Sequence, residues 1–231
     1  MATSQDSDVE LRQSVIDACR EMSAQGINQG TSGNISVRTD DGMLLTPSGV
    51  PYDRMKPEDI VAMKWDGTWT ASGSNVPSTE WRFHLDILKA KPEVGAVVHA
   101  HPIFCTVIAI MNRPIPAIHY MIAAAGGNDI PCAPYAQYGT AELSQVAVAA
   151  LRHRRACLLA HHGLIAIGSS LRKALWLAVE AEVLAKQYHG CLQLGTPPLL
   201  PDEEIDSILK RWGQYGLRDS DGTPKLSGQS N

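Results

Sequence analysis

The sequence predicts a mixed α/β domain, and three observations carry that prediction. Apolar, β-rich runs punctuated by Gly fall between residues 28 and 49 and again between 157 and 168, which reads as hairpin chemistry. Helical periodicity marks a first segment around Leu11–Met22, a second over 78–91, a third over 140–153 and a fourth over 171–190. The 231 residues fit one large domain or two small ones, and no repeat or linker splits them, so one domain spanning 1–231 is the simplest reading.

Taken in order, Ser7-Asp8 can cap a helix whose stripe is Leu11, Val15, Ile16, Cys19 and Met22, with Gly26 as its stop. NQGTSGNISVRTDDGMLLTPSG, residues 28–49, reads as loop, strand, Asp-Asp-Gly turn, strand and loop. Strand and turn signals continue from Val61 to Trp69. Pro77-Ser78 opens the helix STEWRFHLDILKAK, which Pro92 closes. AVVHAH, residues 96–101, is a short buried strand, and IFCTVIAIM after Pro102 a helix. CLLAHHGLIAIG, residues 157–168, is the second β-rich run, and LRKALWLAVEAEVLAKQYHG the clearest helix, with Gly190 as its stop. A short acidic helix follows Pro198. The polar tail from about residue 217 is expected to be partly disordered.

Composition excludes several classes. With 44% hydrophobic and 19% charged residues, the chain does not read as disordered. Twenty basic against 24 acidic residues leave no cationic surplus for nucleic acid. Five cysteines without a close pair argue against a metal knuckle or disulfide framework and for reduced thiols. No apolar run is long enough to span a bilayer, and the start MATSQDSDVE is polar and acidic, so neither a membrane span nor a signal peptide is expected. The expected location is cytoplasmic.

Three of the eight histidines stand out. His99 and His101 are two apart on a predicted strand, so their side chains share a face. Neutral imidazoles side by side in an apolar strand are costly unless something binds them. His161-His162 falls in a second apolar run, where alternation sends one of the pair toward the first two. Three imidazoles with an open position suit a Lewis-acid metal; the alternative is a hydrogen-bonded core cluster. His84, His119, His153 and His189 read as helix surface, loop or interface.

Gly30-Thr31-Ser32-Gly33-Asn34 lacks the Lys of a P-loop, yet it offers backbone amides and hydroxyls suited to an anion. Thr46-Pro47-Ser48-Gly49 repeats the theme, and Pro77-Ser78-Thr79 puts hydroxyls at a helix N-terminus. Each loop alone is an ordinary turn; three beside a metal site suggest one phosphomonoester. Glu80, in the first helical turn, is either a carboxylate favourable to the helix dipole or a proton carrier. Tyr120 is either a core aromatic or a phenolic acid.

Gly-Thr-Ser-Gly-Asn, Thr-Pro-Ser-Gly, Ser-Thr-Glu-Trp-Arg-Phe-His, Val-Val-His-Ala-His and His-His-Gly-Leu, in this order, resemble the class II sugar-phosphate aldolases. That superfamily includes fuculose-phosphate aldolase and ribulose-phosphate 4-epimerase. IPAIHYMIAAAGGNDIPCAPYA and KALWLAVEAEVLA are similar to its fuculose-phosphate branch, and the resemblance runs from about residue 10 to 218. It implies a three-layer α/β/α fold with a mixed, mostly antiparallel central sheet, assembled as a homotetramer with active sites between subunits. It implies zinc on His99, His101 and His162, with Mn²⁺ or Co²⁺ as possible replacements, and Glu80 as acid/base. Gly33, Asn34, Ser48, Gly49, Ser78 and Thr79 would hold the phosphate, and Tyr120 would reach in from a neighbouring subunit. Tyr138, where fuculose enzymes tend to carry Phe, and Tyr215 would flank the aldehyde.

The implied reaction is reversible cleavage of a ketose 1-phosphate, L-fuculose 1-phosphate by default, to dihydroxyacetone phosphate and an aldehyde such as L-lactaldehyde. Salvage aldolases for 5-deoxyribulose or 5-methylthioribulose 1-phosphate share these motifs. The 4-epimerases tend to carry Asp at the position of Glu80 and lack the Tyr120 segment. The non-catalytic adducin head would be expected to lack the three imidazoles.

Overall fold

Alternation along the central strands sorts the helices to two sides of one sheet. A computed structural model describes residues 4–212 apart from residue 72. Eight strands line up in the order β4-β3-β2-β1-β5-β10-β9-β8: β1 (Asn34–Thr39), β2 (Gly42–Leu45), β3 (Val61–Lys64), β4 (Trp69–Thr70), β5 (Ala96–Ala100), β8 (Cys132–Ala133), β9 (Ala156–Leu159) and β10 (Gly163–Gly168). β6 (Ile115–Pro116) and β7 (Asp129–Ile130) form a separate two-stranded ladder. Neighbours in the large sheet are antiparallel except β8 and β9, so the sheet is mixed and mostly antiparallel.

Ala96, Val98, Ala100, Leu164 and Ala166 face one core, built with α1 (Ser4–Ala24), α3 (Ile103–Ile110) and α5 (Leu171–Leu194). Val97, Ile165 and Ile167 face the other, with α2 (Trp81–Ala90) and α4 (Ala141–Ala150). This is the period-two rule applied to strands covered on both faces. α6 (Asp202–Arg211) packs beside the 3₁₀ turn Tyr120–Ala125. α5 holds its place with Ala174, Leu177, Ala178, Ala181, Leu184 and Ala185, all buried at helical spacing. Burying Leu177 and Leu184 contributes about 1.5–3 kcal/mol each.

Several element boundaries differ from the sequence reading. α1 begins at Ser4, ahead of the Ser7-Asp8 cap. α5 runs through Gly190 to Leu194, because its packed apolar stripe outweighs the roughly 1 kcal/mol penalty of a mid-helix Gly. α2 starts at Trp81, so Glu80 is its N-cap residue and not part of its first turn. His101 lies just beyond the end of β5. His161 and His162 are not on a strand: they form the turn between β9 and β10, with His161 at φ +55°. Among the described residues, no helix is long and apolar enough to cross a membrane.

Candidate active site

Antiparallel pairing puts the N-terminal end of β1, the C-terminal end of β5 and the N-terminal end of β10 together at one end of the central strands. The register pairs Asn34 with His99, and Ile165 with His99 from the other side. His101 leaves the end of β5 and His162 enters β10 through the turn, so three imidazoles from two chain segments converge. Their Nε2 or Nδ1 atoms all lie within 4.8 Å of one another. His99 Nε2 is 3.0 Å from His101 Nε2. Glu80 closes the group, with Oε2 3.2 Å from His99 Nε2 and Oε1 3.3 Å from His162 Nε2.

The chemistry of this donor set suits a divalent cation. His99 Nδ1–H donates to the Leu164 carbonyl at 2.9 Å, which fixes the tautomer and leaves a lone pair on Nε2. That lone pair faces another imidazole nitrogen and a carboxylate oxygen, an acceptor-rich arrangement that a cation relieves. Burial, then the neighbouring imidazoles, pushes His101 down to about 3; burial, then His99, pushes His162 down to about 4. Both are therefore neutral, ligand-ready imidazoles near pH 7. Burial alone would raise the Glu80 carboxyl. The His99 and His162 imidazoles beside it, with the Asn34 hydrogen bond, outweigh burial and hold the group well below the usual carboxylate range.

A cavity of about 500 Å³ opens over this cluster. Gly33, Asn34, Ser48, Gly49, Ser78 and Thr79, the six residues assigned to phosphate from sequence, all line it, together with Glu80, His101, His162 and Tyr138. His99 is fully buried behind them. A bridge between Pro47 and Pro77 ties two of the three loops together. Ser48 N–H donates to Val76 O at 2.9 Å, and Ser78 N–H to Thr46 O at 3.1 Å. Those two amides are thus spent on the bridge, and what the serines can offer an anion is their hydroxyls. Glu80 N–H donates to Ser78 Oγ at 3.3 Å, so the loop also steadies the carboxylate's backbone.

Tyr120 does not line the cavity of its own chain; it opens the 3₁₀ turn and lies 42% exposed. Tyr215 falls outside the described residues. Tyr135 and His161 also line the cavity and were not foreseen. His84 corrects the sequence reading outright. It is 0% exposed, because it follows Glu80 by one helical turn and so points at β1 instead of solvent. Asn28 and Tyr52 form a buried support: Tyr52 O–H donates to Gly33 O at 2.5 Å, and Asn28 Nδ2 donates to the Tyr52 oxygen at 3.2 Å. Asn28 Oδ1 accepts from His101 N–H at 3.4 Å, linking the Gly-rich loop to the imidazole cluster.

Two outcomes follow from this geometry. A Cβ on Gly163 would meet Ala100 O at 2.6 Å and His101 Cδ2 at 2.7 Å. Gly163→Ala should therefore displace His101 and weaken metal binding by about 10–100-fold, the cost usual for a disturbed ligand shell; competition with a chelating dye measures it. Unchanged affinity would show that the backbone gives way elsewhere. The second concerns acid. Burial pushes His84 from 6.5 to about 3, so below pH 6.5 the unfolded chain takes up a proton that the fold refuses. The contribution is full above about pH 6.5 and is lost as pH falls toward 3. Urea midpoints between pH 7 and 4.5 should fall less steeply for His84→Gln than for the wild type, and equal slopes would contradict this.

The chain belongs to the family described as Class II Aldolase and Adducin N-terminal domain, which it matches over residues 13–189. Over 209 residues it is 54% identical to the L-fuculose phosphate aldolase of Escherichia coli O6:H1, covering 90% of this chain and 96% of that one. It is similarly close, at 53% over 210 residues, to a 5-methylthioribulose-1-phosphate/5-deoxyribulose-1-phosphate aldolase of Rhodospirillum rubrum, covering 91% and 94%. Its fold matches a solved L-fuculose 1-phosphate aldolase with a TM-score of 0.85 at 38% identity, over 92% of this chain and 98% of that one.

Proposed function

We propose that this protein is a zinc-dependent aldolase that reversibly cleaves a ketose 1-phosphate, L-fuculose 1-phosphate by default, to dihydroxyacetone phosphate and an aldehyde. One observation carries the reading: three imidazoles and a buried carboxylate meet on the floor of a cavity walled by hydroxyl-bearing loops.

His99, His101 and His162 would hold the metal, which acts as a Lewis acid toward the negative charge that carbon–carbon cleavage leaves behind. The remaining work falls to the chain's own groups. Ser48, Gly49, Ser78, Thr79 and the Gly33-Asn34 segment bind the phosphate, so binding energy from the non-reacting end orients the reacting carbons. Breaking the C3–C4 bond leaves its electron pair on the dihydroxyacetone phosphate half. Glu80 delivers a proton to C3 in cleavage and removes it in condensation. Tyr120 exchanges the proton on the C4 oxygen. The family resemblance implies a homotetramer with sites between subunits, in which Tyr120 serves a neighbouring copy, and its position outside its own cavity fits that reading. Tyr138 bounds the aldehyde side, with Tyr215 assigned there from sequence. A single domain working in the cytoplasm fits this reading.

The near-equal identity to relatives named for fuculose phosphate and for 5-methylthioribulose and 5-deoxyribulose phosphates gives the second reading, a salvage aldolase with the same chemistry. A coupled assay for dihydroxyacetone phosphate, run over the three ketose 1-phosphates, ranks them by kcat/KM. Free L-fuculose should be a very poor substrate, because the loops lose their anion. Equal kcat/KM for the free sugar would mean that the loops are plain turns.

A further inference from the structure

We propose that His84 is a positioning residue for proton transfer: acting through the Asn34 amide, it fixes Glu80 so that Oε1 is the oxygen that carries the proton. This rests on the reading of Glu80 as the proton carrier.

The juxtaposition follows from two periodicities. Glu80 and His84 are four apart at the start of α2 and share its face; Asn34 and Ser36 are two apart on β1 and share the face of the sheet turned to α2. The helix pair therefore meets the strand pair side by side. Asn34 Nδ2 donates to Glu80 Oε2 at 3.0 Å. Asn34 Oδ1 lies 2.5 Å from His84 Nε2, and His84 Nδ1 lies 2.8 Å from Ser36 Oγ. All four residues are buried, none more than 6% exposed.

Donor counting gives the series one direction. The NH₂ end of Asn34 donates to Glu80, which leaves Oδ1 to accept from His84 Nε2–H. In the neutral imidazole Nδ1 then accepts from the Ser36 hydroxyl. A flipped Asn34 would set oxygen against carboxylate and NH₂ against Nε2–H, so His84 locks the amide. Hydrogen bonds running the same way polarise one another. The result is an asymmetric carboxylate. Oε2 accepts from Asn34 and faces His99 Nε2, whereas Oε1 faces His162 Nε2 at 3.3 Å and, among the described residues, is buried without a hydrogen-bond partner. A histidine serving packing alone, stacked on Phe83 at 4.6 Å, has no need of this series.

The test compares two amides at one position. In His84→Gln the side-chain NH₂ reaches where Nε2 stood and can still donate to Asn34. In His84→Asn the shorter side chain cannot. Exchange of the C3 proton of dihydroxyacetone phosphate, measured without aldehyde on the zinc-loaded protein, should fall about 10–100-fold in His84→Asn and stay within a few-fold of wild type in His84→Gln. Zinc content and KM should be unchanged in both. Wild-type exchange in His84→Asn, or an equal fall in both variants, overturns the proposal and leaves His84 as packing. Ser36→Ala removes only the outer anchor and should slow exchange several-fold, which keeps the test decisive if His84→Asn does not fold; wild-type exchange there counts against the proposal. Glu80→Gln, run alongside, separates the two claims. If it exchanges at the wild-type rate, the Glu80 reading has failed; if it is dead while both His84 variants are normal, only the positioning role has.

Discussion

Glu80→Gln is expected to keep its zinc and its fold and to lose roughly 10²–10⁴-fold in kcat, the range usual for a general acid/base. The substitution preserves shape, and its carbonyl can still accept from Asn34 Nδ2 as Oε2 does now. What it removes is a group able to pick up and give back a proton beside the imidazole cluster. Exchange at C3 of dihydroxyacetone phosphate isolates this step from carbon–carbon chemistry. Tyr120→Phe should spare the exchange while slowing cleavage, since the phenol serves the C4 oxygen. If Glu80→Gln exchanges at the wild-type rate, Glu80 is only the N-cap carboxylate of α2 and the base lies elsewhere.

His162→Ala should lower both zinc content and cleavage, the latter by at least about 10³-fold, since Lewis-acid stabilisation of several kcal/mol is lost and each 1.4 kcal/mol is tenfold. The residue sits in a turn with its side chain 15% exposed, so its removal costs the fold less than removal of fully buried His99 would. Metal analysis beside the cleavage assay checks the assignment. Full zinc content and undiminished cleavage in the variant would remove His162 from the ligand set. Cobalt or manganese can replace zinc in such a test, because imidazole discriminates weakly among divalent ions.

Local rules made the strands, the helices and the approach of His99, His101 and His162 legible, because apolar alternation and His-x-His spacing are properties of short segments. The layer arrangement came from resemblance to a family and not from periodicity. What local rules missed was set by tertiary neighbours. His84 looks like any polar residue on an amphipathic helix until β1 brings Asn34 and Ser36 against it. His161-His162 looked like part of a strand because the whole run from 157 to 168 is apolar; the positive φ of His161 makes it a turn, and the turn is what aims His162. The Gly-rich loops were visible as anion-friendly chemistry. The Pro47–Pro77 bridge that consumes two of their amides links residues thirty apart and leaves no short-range trace.

The most direct measurement of the central claim is dihydroxyacetone phosphate release from L-fuculose 1-phosphate by protein stripped of metal and then given zinc. The stripped protein should release nothing above background and recover fully on adding zinc, with Glu80→Gln failing to recover. Undiminished release by verified metal-free protein would contradict that claim.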